Sequence, residues 1–211
     1  MKKPEDFKIL VGCEESQAVC IAFRELGFEA YSCDLLPCSG GHPEWHIQGN
    51  VVNQLYKQWD LIIAFPPCDR LANSGVRWLA ERQLWDEMYF GCEFFNIFQS
   101  LGESGVKVAI ENPIQHKYAR EYISKYDQII QPYQFGHMEK KATCLWLYGL
   151  PKLTETNNVY CAMMKLPYKD RAKIHYCSPG PNRSILRAKT FPGIANAMAE
   201  QWGNYLLNSD L

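Results

Sequence analysis

Trp59-Asp60-Leu61-Ile62-Ile63-Ala64-Phe65-Pro66-Pro67-Cys68 decides how the rest of the chain is read. An unbroken aliphatic run followed by two prolines reads as a buried strand that ends sharply. Pro67 fixes its own φ and has no N–H to donate, so the chain leaves the sheet abruptly and rigidly. One cysteine is thereby delivered to the C-terminal end of the strand, the edge at which open α/β sheets bind ligands and do chemistry. A thiol held there suits a nucleophile. The alternative is a free cysteine packed inertly under a loop.

Outward from this strand the chain alternates strands and helices. Lys8 to Gly12 is a first buried strand, and Ser16 to Leu26 a helix with Ala18, Ile21, Ala22 and Leu26 on one face and Gly27 as its stop. Glu29 to Cys33 is a second strand, ending at Asp34. A Pro/Gly/His loop over 37–46 precedes a short third strand near Ile47. Leu61 to Ala64 is the fourth strand, Leu79 to Gln99 a long helix, and Val106 to Ile110 a fifth strand ending at Glu111-Asn112-Pro113. A helix near Tyr118 to Ser124, a late strand pair (Gln128 to Gln131 and Thr143 to Leu147), a loop-rich stretch over 151–184 and a helix from Thr190 to Leu207 complete the chain. Such alternation predicts an α/β fold, a mostly parallel sheet with helices on both faces. It places Gly12, Asp34, Cys68 and Glu111 at successive strand ends, facing one crevice.

Composition narrows the function. The 211 residues suit one large domain or one domain with a small appendage, and 47% hydrophobic residues supply a sizeable core. A formal net charge of -1 shows no global basic excess, so any nucleic-acid surface must be local. No apolar run approaches a membrane span, so no membrane partner is expected. The N-terminal residues Met1-Lys2-Lys3-Pro4-Glu5-Asp6 lead into a strand rather than an apolar signal segment. The nine irregularly spaced cysteines then read as reduced cytosolic thiols. Among them, Cys144, Cys161 and Cys177, with His137 and His175, match no compact zinc spacing, so no metal is expected.

Pro66-Pro67-Cys68 after strand four, with Glu111-Asn112 after strand five, resembles the cytosine-specific carbon-5 DNA methyltransferases, in particular their short phage-type relatives. The likeness covers roughly residues 8–150. The loop continues Cys68-Asp69-Arg70-Leu71-Ala72-Asn73-Ser74-Gly75, keeping the family's glycine and placing Leu71 where the family has Phe. Amino-methyltransferases differ at the positions of Phe65 and Cys68.

The resemblance implies a Rossmann-like S-adenosylmethionine-dependent fold over 1–150, a loop-rich insertion over 151–189 acting as a reduced substrate-recognition region, and a C-terminal helix over 190–211 packing back on the core. It implies methyl transfer to DNA cytosine in a bacterial or phage-infected cell. Cys68 would be the nucleophile at carbon 6, Glu111 the partner of N3, and Asn112 the residue that orients the cysteine loop. Gly12, Glu14, Asp34, Asn50 and Pro66 would surround the methyl donor, and Arg70, Lys140 and Lys141 the DNA. The first loop departs from the family: Val11-Gly12-Cys13-Glu14-Glu15-Ser16 has one glycine and two acids. Glu14 either meets the donor's ammonium or simply sits at a helix N-terminus, where the macrodipole favours acids. Asn50 stands where the family has a third acid, and the Gln-x-Arg-x-Arg motif is replaced by Glu139-Lys140-Lys141-Ala142-Thr143. In 151–189, Lys152, Lys165, Lys169, Arg171, Lys173, Arg183, Arg187 and Lys189 alternate with Tyr160, Tyr168 and Tyr176, a pattern that suits either phosphates and bases or a solvated loop. A non-catalytic protein that keeps the fold and binds nucleic acid, a nucleotide or a protein is the rival reading.

Overall fold

The structure, a computed structural model, describes residues 2–174, 176, 187 and 189–209. Five strands, β1 (Lys8–Gly12), β2 (Glu29–Asp34), β3 (His46–Gln48), β4 (Leu61–Ala64) and β5 (Val108–Pro113), run parallel. β6 (Gln128–Ile130) and β7 (Thr143–Tyr148) are antiparallel to each other, and β7 is antiparallel to β5. The sheet order is β3-β2-β1-β4-β5-β7-β6.

The aliphatic runs of β1 and β4 follow from burial on both faces. Ile9, Val11, Leu61 and Ile63 point to one side, against α1 (Ala18–Glu25) and the last helix, here α6 (Pro192–Ser209). Leu10, Ile62, Ala64, Val108 and Ile110 point to the other, against α3 (Trp85–Glu103). The sheet is thus the middle layer between two apolar cores. The chain turns outward from β1 through β2 to β3, then returns to β4 on β1's other side. The loops after β1 and β4 therefore diverge and open a crevice at the C-terminal edge of the sheet.

Several elements differ from the sequence expectation. The helix expected over 79–99 is two, α2 (Val76–Glu81) and α3, because Gln83 takes a left-handed conformation with φ 54° between them. The Glu111-Asn112 pair lies inside β5, since β7 continues the ladder to Pro113. Only a 3-10 turn, Ala119–Glu121, forms where a helix near 118–124 was expected. The loop-rich stretch after β7 contains α4 (Tyr160–Met164) and α5 (Tyr168–Arg171) and buries Leu153, Met163 and Ala172. It is tied to α6 where Trp202 Nε1 donates to the Pro151 carbonyl and Gln201 grips Thr154. No helix of the described residues is long and apolar enough to cross a membrane.

Candidate active site

The crevice holds a cavity of about 360 Å³ lined by the loop after β1 (Cys13 to Ser16), Phe65 to Asp69 after β4, Glu111 to Pro113 of β5, Lys141, and Arg187, Lys189 and Thr190 ahead of α6. A volume of this size is that of small-molecule sites. β4 and β5 are adjacent, with Ala64 opposite Ile110, so Cys68 and Glu111 reach the same space from neighbouring parallel strands.

The cysteine loop is held from below. Asn112 is fully buried and its Nδ2 donates to the Pro66 carbonyl at 2.8 Å. Pro67 offers no N–H of its own to fix the turn, so this amide replaces a contact that the prolines forgo. The chain then coils tightly, with Leu71 N–H and Ala72 N–H donating to the Cys68 carbonyl. His116 Nε2 meets the Arg70 carbonyl at 2.8 Å and locks the far side of the turn to the segment after β5.

Charge in the cavity is finely opposed. Burial, with help from Glu111 and Asp69, pushes the Cys68 thiol up from 9.0 to about 11, against the pull of Lys141 and Arg187. Burial also pushes the Glu111 carboxyl up, against Lys141 and a hydrogen bond from Thr143. A carboxyl raised in this way can carry a proton and donate a hydrogen bond to a ligand acceptor. Lys141 Nζ is anchored on the Lys189 carbonyl at 3.3 Å, so the cation that tempers both groups has a fixed place.

Cys68, Glu111, Asn112, Pro66, Glu14 and Lys141 share this cavity. Glu14 turns its oxygens away from the open space: Oε1 accepts from Val19 N–H at 2.7 Å and Oε2 from Cys20 N–H at 3.2 Å. It caps α1, and burial nonetheless pushes its pKa up to about 8. Gly12, Asp34 and Asn50 lie along the same sheet edge, outside the lining. At Gly12 a Cβ would stand 2.8 Å from Val51 Cγ2, so the missing side chain admits Val51. Asp34 Oδ1 accepts from Leu36 N–H at 2.9 Å, and Asn50 Oδ1 from Val52 N–H at 3.0 Å. Arg70 is taken up by carboxylates, Nε on Glu87 and Nη1 on Asp69, each at 2.7 Å. Lys140 is bound through its backbone to the Arg171 carbonyl.

Sequence reasoning missed Cys13, which lines the cavity with φ 60°, and Thr143, whose only signal was its place at the start of a strand. Leu35 and Leu36, 71% and 52% exposed beside Asp34, were also overlooked. Of the metal-capable residues, His137 accepts from Gly193 N–H through Nε2, Cys144 is buried near Glu111, and Cys161 is exposed. His175, Cys177 and Arg183 lie outside the described residues. No family model matches the chain, and no curated protein matches it.

Proposed function

We propose that the protein transfers a methyl group from S-adenosylmethionine to carbon 5 of cytosine in DNA, through a covalent adduct on Cys68. One observation carries this reading: the Cys68 thiol and the buried Glu111 carboxyl enter one cavity from adjacent strands, and Asn112 clamps the thiol's loop. The strand order, with an antiparallel β7 beside β5, is compatible with the methyltransferase variant of the Rossmann-like fold.

The groups near Asp34 suit the donor. One Asp34 oxygen is engaged by Leu36 N–H, which leaves the other for ribose hydroxyls, and exposed Leu35 offers apolar surface for an adenine face. Asp34, Asn50 and Leu35 would hold the nucleoside part, and Glu15 and Ser16 of the cavity wall the amino-acid part. The bound donor supplies an electrophilic methyl group. The Cys68 thiol gives up its proton to solvent and its sulfur adds to carbon 6 while a proton carried by Glu111 passes to N3, so the ring electrons collect at carbon 5 as an enamine. Carbon 5 would then take the methyl group as its bond to the donor sulfur breaks, the sulfur keeping the electron pair as a neutral thioether. Loss of its proton to solvent and return of the N3 proton to Glu111 expel the thiolate and restore the aromatic ring. In a duplex the base must first flip out of the stack.

DNA carrying 5-fluorocytosine tests this, because fluorine cannot leave carbon 5 as a proton does. The unmodified protein with donor should form a stable protein–DNA adduct, and Cys68→Ser should form none while keeping its circular dichroism. Full methylation by Cys68→Ser would rule out the nucleophile.

The second reading is a non-catalytic binding protein on the same fold. It is favoured by Val51 over Gly12 and by the commitment of Glu14 to α1. Calorimetry separates the two: absence of S-adenosylmethionine binding at about millimolar concentration supports the binding protein.

A further inference from the structure

Two arginines, Arg77 within α2 and Arg82 just after its end, carry charge that no carboxylate pairs with among the described residues. α2 begins where the Cys68 turn ends. Asn73 N–H donates to the Ile114 carbonyl, and Gly75 N–H to the Ala72 carbonyl. Gly75, the residue before α2, lies against Asp69; a Cβ there would fall 2.2 Å from the Asp69 carbonyl oxygen. Asp69 lines the cavity, so the first turn of α2 stands at the cavity rim. Leu79 buries the inner side of this helix. Outside, the guanidinium carbons of Arg77 and Arg82 lie 4.2 and 4.1 Å from the centre of the Trp78 ring.

Both arginines are exposed and Trp78 is half-buried. Among the described residues neither guanidinium pairs with a carboxylate, although Glu81 is one helical turn from Arg77. Arg70 offers the contrast: two carboxylates already occupy it. A guanidinium stacked on an indole keeps its face on the ring and its N–H edge outward, pre-organised for the oxygens of a phosphate.

We infer that Arg77, Trp78 and Arg82 form a contact surface for the phosphodiester backbone of the nucleic-acid strand whose base enters the Cys68 cavity. The inference rests on the DNA reading above and moves the cationic contact from Arg70 to α2. Two free cations on one aromatic plate fit a polyanion of regular spacing. Their place at the rim puts that polyanion beside the cavity that holds Cys68 and Glu111.

The test is fluorescence anisotropy of the full chain with a labelled cytosine-containing duplex over a series of salt concentrations. Each phosphate contact contributes about 0.9 to the slope of log affinity against log salt. Arg77→Gln combined with Arg82→Gln should lower that slope by about 2, with the melting midpoint unchanged. Arg70→Gln should leave the slope as it is. An unchanged slope in the double variant, or an equal loss in Arg70→Gln, overturns the surface but leaves methyl transfer standing. Wild-type protein that prefers polyglutamate to the duplex also overturns it. Binding that depends on both arginines, without adduct formation on fluorinated DNA, upholds the surface and removes the methyl-transfer reading.

Discussion

Cys68 and Glu111 oppose each other in the free protein: the carboxylate makes the thiolate harder to form, and Lys141 makes it easier. The sign of each influence can be measured at the thiol. Glu111→Gln removes a negative charge, so the Cys68 pKa should fall below about 11 and alkylation by iodoacetamide near neutral pH should speed up several-fold. Lys141→Met removes the opposing cation and should slow it. Mass spectrometry of the Cys68 peptide follows this one thiol among the chain's nine cysteines. Equal alkylation rates in all three proteins would show that the groups are not coupled.

At the scale of elements, the site depends on the joint between β4 and β5. The Pro-Pro turn leaves the Pro66 carbonyl buried, and the Asn112 amide answers it. Asn112→Asp keeps the size but replaces the donor with an oxygen facing a carbonyl. The lost hydrogen bond and the buried mismatch should cost about 1–3 kcal/mol, read as a lower denaturant midpoint. Adduct formation should slow more than tenfold, with donor affinity unchanged. A variant that traps DNA at the wild-type rate would mean that the prolines alone hold the loop. The last helix contributes at the same scale. His137 Nε2 accepts from Gly193 N–H at the start of α6, and burial holds His137's pKa down, so the neutral acceptor form persists near neutral pH. This fixes the segment that brings Lys189 and Thr190 to the cavity wall.

For the whole molecule, buried acids set how stability changes with pH. Glu14 has a folded pKa of about 8 against an ordinary 4.5. Below the ordinary value both folded and unfolded chains hold the proton, and Glu14 costs nothing. As pH rises from about 4.5 towards 8, the unfolded chain ionises while the folded one resists, so stability falls across that window. Glu111, shifted in the same direction, adds to the fall. The melting midpoint should therefore be higher near pH 5 than near pH 8. Glu14→Gln should flatten part of this slope, because an amide still accepts from Val19 N–H and does not titrate. An identical slope in Glu14→Gln would place the dependence elsewhere.

The sequence by itself determined the sheet's core strands and the order of residues along its working edge. Leu61 to Ala64 and Lys8 to Gly12 are aliphatic because they are covered on both faces, and that requirement is local enough to read from the chain. It also placed Cys68 beside Glu111, since successive strands of an α/β sheet carry their loops to one edge. Tertiary structure decided what each side chain at that edge is free to do. Glu14 became a cap because α1 starts just where its oxygens reach, and Gly12 became a seat for Val51. Arg70 was claimed by Glu87, seventeen residues away, while Arg77 and Arg82 were left on an indole. Pairing of this kind depends on distances between elements remote in the chain, and periodicity along one element carries no record of them.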